Sequence, residues 1–174
     1  MPLPKKYAKM PKDARAKKLK AIVKKKLAAT ESRLVSKLKK LATAKYPANA
    51  DLLGFELQLA GTSEFAPVAW CVSNDGEQLG CEWDEESETT WKPPVALYEP
   101  IMKPVKVSTP AVLKAAKIKD DEWDYYNIIE LECLLFTRAC WIKAGGKKCK
   151  VRAVTQEHDS GFMLDLKSGK WEKM

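Results

Sequence analysis

The chain is poor in the residues from which catalytic and metal centres are usually built. It has one histidine, His158, and no Cys-x-x-Cys pair, which excludes a zinc site of ordinary spacing. Neither a Gly-x-Gly-x-x-Gly stretch nor a Walker-type phosphate loop is present, and Gly145-Gly146-Lys147 reads as a helix stop beside basic residues. No cofactor is therefore expected. No apolar run is long enough to cross a bilayer; the strongest one, residues 128–142, is interrupted by Glu130, Glu132 and Arg138. The opening MPLPKKYAKM lacks the apolar core of a secretory leader. The cysteines Cys71, Cys81, Cys133, Cys140 and Cys149 are odd in number and irregular in spacing, which reads as free thiols in a reducing cytoplasm. A Cys–His nucleophile pair needs one of them within reach of His158, and Cys149 is the one candidate; a buried cysteine acting as a small hydrophobe is the plainer reading. Glu130 and Glu132 do not form an acid/base pair, because two residues along a helix turn them about 200° apart. They are expected at the two polar margins of a helix.

What the chain does have is charge of one sign gathered at one end. Residues 1–45 carry 14 Lys and 2 Arg against Asp13 and Glu31, a net +14, which leaves −6 for the remainder of a chain whose net charge is +8. Such a split points to an interaction arm or to an internal electrostatic contact.

The pattern of apolar residues predicts an α+β fold: an antiparallel sheet of about five strands packed by a central apolar helix, with a long basic amphipathic helix ahead of it. Residues 1–11 hold three prolines and are expected as a flexible arm. Over 12–46, Leu19, Ile22, Val23, Leu27, Leu34, Leu38 and Leu41 recur at helical spacing, either as one helix or as two collinear ones broken at Thr30, which can cap a second helix from Glu31. Residues 47–174 form the α+β domain, and 12–46 belongs to the same globular unit. Strands are expected at 52–60, 67–73 and 78–83 as a meander turned by Asn74-Asp75-Gly76, then at 148–155 and 162–166. The prolines between 93 and 110 make a wrap over the surface, and a short helix follows Pro110. The central helix runs through DDEWDYYNIIELECLLFTRACWIKAGG, capped by Asp120 or Asp121 and stopped by Gly145. Its wide apolar arc suits a helix packed on a sheet and covered from above.

Two surfaces stand out. Glu82, Asp84, Glu85, Glu86 and Glu88, flanked by Trp83 and Trp91, offer carboxylates for steering and indoles for anchoring a basic protein partner. A solvated loop that blunts a sheet edge is the plain reading of the same residues. Lys17, Lys18, Lys20, Lys24, Lys25 and Lys26 offer phosphate neutralisation, the alternative reading, for which the segment is short of arginine and aromatics. A solvated helical face is again the plain reading. An apolar face without Trp or Phe argues against a membrane.

The order of elements carries a resemblance. A helix ending in LATAKYPANADLLGFELQL is followed by the strand-turn-strand of APVAWCVSNDGE, an acidic Trp- and Pro-containing stretch, the helix YYNIIELECLLFTRACW, and a hairpin ending in FMLDLKSG. This layout resembles small bacterial α+β domains, some similar to immunity proteins of polymorphic toxin systems. The resemblance implies a cytoplasmic, non-catalytic protein that binds a cognate protein partner.

Overall fold

A computed structural model describes residues 2–59, 63–80, 91–119, 121–158 and 160–174. In chain order the helices and strands are α1 (Lys5–Ala8), α2 (Ala14–Ala28), α3 (Glu31–Ala42), β1 (Ala50–Leu57), β2 (Glu64–Phe65), β3 (Val68–Ser73), β4 (Val105–Lys106), α4 (Pro110–Ala115), α5 (Tyr126–Lys143), β5 (Arg152–Glu157), β6 (Phe162–Asp165) and β7 (Trp171–Lys173). The fold is α+β.

Of the two arrangements expected for the basic segment, one long helix or two broken at Thr30, the second stands, and neither helix is long. Asp13 caps α2 by accepting from the Ala16 N–H at 2.8 Å. Thr30 occupies the cap position of α3, as its place in the sequence predicts, but its hydroxyl works backwards: buried, it donates to the Leu27 carbonyl at 2.7 Å and closes α2. The leucine stripe, whose cover the sequence leaves open between a partner and the chain's own core, packs into that core. Leu19, Val23 and Leu27 of α2, and Leu34, Leu38 and Leu41 of α3, are all buried, and both helices pack on α5. Each such leucine contributes about 1.5–3 kcal/mol through burial. The proline-rich start, expected as a loose arm, holds α1, whose Tyr7 ring is buried and lies 5.1 Å from that of Trp171.

The sheet has five strands in the order β3-β1-β5-β6-β7, and the antiparallel expectation is corrected at its centre. β1 pairs antiparallel with β3 on one edge but parallel with β5 on the other, Leu52 opposite Arg152 through Leu57 opposite Glu157. A parallel pair needs a crossover, and the crossover is α5: it lies against β5, with Trp141 stacked 5.5 Å from Phe55 of β1. Of the expected third strand, 78–83, residues 81–83 lie outside the described residues. Before them Asn74-Asp75-Gly76 turns the chain, with Gly76 at φ +89°; the Ser73 N–H donates to the Glu77 carbonyl and the Leu79 N–H to the Cys71 carbonyl at 2.9 Å each, beside a bridge of Gln78 to Val72. β7 and the two-stranded β2–β4 ribbon are additions to the predicted strands.

The central helix ends as predicted, with Gly145 in the left-handed conformation at φ +86°. Its start differs. α5 begins at Tyr126, without a side-chain cap, after a 3-10 turn over Trp123–Tyr125. Asp121 makes no cap. Glu122 accepts instead from the Lys119 N–H at 2.8 Å and folds the approach into a tight turn. Helices α2 and α3 cover one side of α5 and the sheet covers the other.

Candidate functional site

The approach to α5 creates the most conspicuous surface feature of the molecule. Trp123 is 72 % exposed, the largest value among the exposed large hydrophobic side chains. Its ring lies 5.3 Å from that of Tyr126, tilted by 33°. The turn is pinned from below. Tyr125 donates to Asp13 Oδ2 at 2.6 Å, and Arg15 Nη1 lies 2.9 Å from Glu122 Oε1. The Lys119 N–H and the Arg15 guanidinium hold the Glu122 carboxyl below its ordinary range, so it stays charged. Asp121 and Asp124 are exposed on either side.

Beneath this aromatic pair opens a cavity of about 490 Å³, walled by Trp123, Tyr126, Leu59 and Ile129. Its acidic lining is Glu130 and Glu157, both largely removed from solvent, and its lining includes no basic residue. Glu130 Oε1 accepts from Lys6 Nζ at 2.5 Å and from the Tyr7 hydroxyl, which fastens α1 to α5. The surface thus combines an exposed indole and a tilted phenol over a cavity whose Glu130 is already paired with Lys6. Chemically it can take an apolar side chain, with the exposed Asp121 and Asp124 beside it for a positive charge.

Of the acidic surface expected from the sequence, Glu82, Trp83, Asp84, Glu85, Glu86 and Glu88 lie outside the described residues. Trp91 is described: it is half-buried, its ring 5.1 Å from that of Tyr46.

The lysines of α2 are divided. Lys20 Nζ lies 2.7 Å and Lys24 Nζ 3.7 Å from the carboxylate of Glu132, which is 5 % exposed on α5. Lys17, Lys18 and Lys25 are exposed and Lys26 half-buried, with no ion pair among the described residues. Glu130 and Glu132 do sit at opposite margins of the helix: the first fastens α1, the second α2.

The nucleophile candidates are separated in space. Cys149 precedes β5 and His158 follows it, and the strand alone sets its ends roughly 17 Å apart at about 3.3 Å per residue. His158 Nδ1 instead lies 2.9 Å from Glu56 Oε1. Burial pushes the Cys71 thiol up to about 12, with Cys149 nearby adding to it, and burial beside Glu31 pushes Cys140 up to about 12. Burial beside Glu132 raises Cys133 well above the ordinary thiol range. Thiols held neutral in this way are poor nucleophiles. No group of three or more His, Cys, Asp and Glu side chains is placed to hold a metal among the described residues.

The Trp123 surface was missed by sequence reasoning because Asp-Asp-Glu-Trp-Asp also makes a good helix start. Its signal was a tryptophan set among carboxylates, the same pattern that singled out 82–91. No helix of the described residues is long and apolar enough to cross a membrane. Compared with protein families, curated proteins and solved structures, the chain matches none.

Proposed function

We propose that this protein is a non-catalytic, cytoplasmic protein-binding domain of immunity type, which docks a basic partner through acidic, tryptophan-bearing surface. The observation that carries the reading is Trp123, 72 % exposed and stacked on Tyr126 over a cavity lined by two carboxylates. An indole left in water beside an apolar cavity is the kind of group that anchors an interface, and carboxylates around it favour a cationic partner and speed its approach. The acidic run Glu82–Glu88, read from the sequence alone, offers carboxylates of the same chemistry. The separation of His158 from Cys149 removes the one Cys–His pair that the sequence offered.

The experiment is affinity capture with the full chain, followed by cross-linking and mass spectrometry to locate the contact. Trp123→Ala is expected to weaken capture more than tenfold, and Glu85→Lys with Glu86→Lys to weaken it further. A partner that cross-links elsewhere, and is retained equally by all three proteins, refutes the assignment of the surface. The alternative, nucleic-acid association through Lys17, Lys18, Lys20, Lys24, Lys25 and Lys26, is weakened by the engagement of Lys20 and Lys24 with Glu132.

A further inference from the structure

A different set of lysines lies at the end of the molecule where β1 and β5 begin. The connection from α3 into β1 and the connection from α5 into β5 form the two walls of a groove. Its wider part is a cavity of about 640 Å³ lined by Lys45, Tyr46, Pro47, Lys148, Cys149 and Lys150, among others. Cys149, Lys150 and Val151 also line an adjoining second cavity of about 250 Å³, together with Trp141, Gly146, Lys167 and Asp165.

Two properties of this groove point to an anion. Lys45, Lys148, Lys150 and Lys167 are exposed and form no ion pair among the described residues, in contrast to Lys20 and Lys24 of α2. The acid in the lining, Asp165, is already engaged: it accepts from the Ser168 N–H and hydroxyl at 2.7 Å each and faces Arg152 Nε at 3.4 Å. Trp141 closes the inner lining: it is fully buried, and its indole nitrogen is sealed from the groove. The wall there is built for close approach: a Cβ on Gly146 would stand 2.1 Å from Trp141 Cε2 and 2.3 Å from its Nε1, so only glycine lets the backbone pass over the indole edge.

We propose that this groove binds the phosphate backbone of a single-stranded nucleic acid, with one phosphate between Lys150 and Lys167 beside Trp141 and the strand continuing past Lys148 and Lys45. Exposed lysines spread along two adjoining cavities suit a chain of regularly repeated anions. A lipid surface is disfavoured because the groove is concave and none of the exposed large hydrophobic side chains (Leu3, Trp123, Leu135 and Met174) lies in it. The lining includes no arginine fork or amide free to read a base, so binding is indifferent to sequence. The site is independent of the Trp123 surface.

The test uses the full chain and a fluorescein-labelled oligothymidylate, read by polarisation across a salt series. Lys148→Glu with Lys150→Glu and Lys167→Glu is compared with Lys17→Glu, Lys18→Glu and Lys25→Glu, which alters the net charge equally. All six positions are exposed, and circular dichroism of both triple variants checks that they fold. The groove variant is expected to bind at least tenfold more weakly than the α2 variant. Its log–log salt slope should be shallower by about 2, since each single-strand phosphate that is no longer neutralised removes roughly 0.7. Trp123→Ala should bind the strand like the parent protein. Absence of binding at low salt, equal weakening by the two triple variants, equal affinity for a duplex, or equal competition by polyglutamate or by inorganic phosphate overturns the proposal.

Discussion

Gly54 offers a sharp test of how the sheet is packed. It lies in the middle of β1, opposite Trp70 of β3, and the indole of Trp70 is folded across it. In Gly54→Ala the new Cβ would stand 2.0 Å from Trp70 Cε2 and Cζ2 and 2.6 Å from Cδ2. Carbon atoms in good contact lie about 3.5–4.0 Å apart, so the ring must retreat by roughly 1.5 Å or more, or leave its site. The atoms in the way belong to a rigid bicycle and not to the tip of a flexible chain. Overpacking of this kind costs about 1–3 kcal/mol, and the smaller entropy of an unfolded alanine returns about 0.4–1 kcal/mol. Taking the middle of each range, about 2 less about 0.7, the net loss is about 1.3 kcal/mol, or roughly 3–5 °C in Tm for a chain of this size. Urea denaturation followed by far-ultraviolet circular dichroism measures it. Trp70→Leu removes the obstruction, so adding Gly54→Ala to that background should be neutral or slightly stabilising, a coupling of about 1–2 kcal/mol. An alanine variant as stable as the parent, or one with the same cost in the Trp70→Leu background, refutes the packing argument.

Other outcomes follow from the same structure. Lys20→Met alone should cost less than about 1 kcal/mol, because the lysine is half-exposed and Lys24 remains near Glu132; the Lys20→Met, Lys24→Met pair strands a buried carboxylate and should cost about 2–3 kcal/mol, more than the two single losses together, in the same denaturation assay. The thiols of Cys71, Cys133 and Cys140 have folded-state pKa values raised by burial, whereas an unfolded thiol ionises near 8.5. The stability they contribute is complete below pH ~8.5 and declines as pH rises from there toward about 12, so Tm should fall over that range, and replacing all three by alanine or valine should flatten the fall. Iodoacetamide at about pH 8 should label these three sites only at the rate of unfolding, as mass spectrometry of quenched samples will report. Trp123→Ala should change the urea midpoint by less than the equivalent of about 0.5 kcal/mol, because the side chain is largely in solvent, while weakening partner capture more than about tenfold.

Local chemistry accounts for what could be read in advance. The leucines of α2 and α3 were legible because a helix repeats its buried face every three to four residues, and Gly145 because only glycine closes a helix so easily. Thr30 was placed correctly but given the wrong hydrogen bond, since a hydroxyl can both donate and accept. The parallel pairing of β1 with β5 was not legible. Strands of either orientation alternate with a period of two, and partners about a hundred residues apart leave no trace in the spacing of either. β7 and the two-residue strands of the small ribbon are too short to show a period at all. At the candidate site the acidic residues before α5 were read as a cap, and Trp123 became conspicuous only when the helix began later, at Tyr126.

The neighbourhood of β1 and β5 also sets an order of events. During synthesis β1 can join β3 early, but its other edge stays open until residues 152–157 have left the ribosome. Nascent chains that pause short of that point expose an unpaired, leucine-rich strand margin, an invitation to pair with a neighbour. Sheet completion by so distant a segment also slows refolding relative to a helical bundle of equal length.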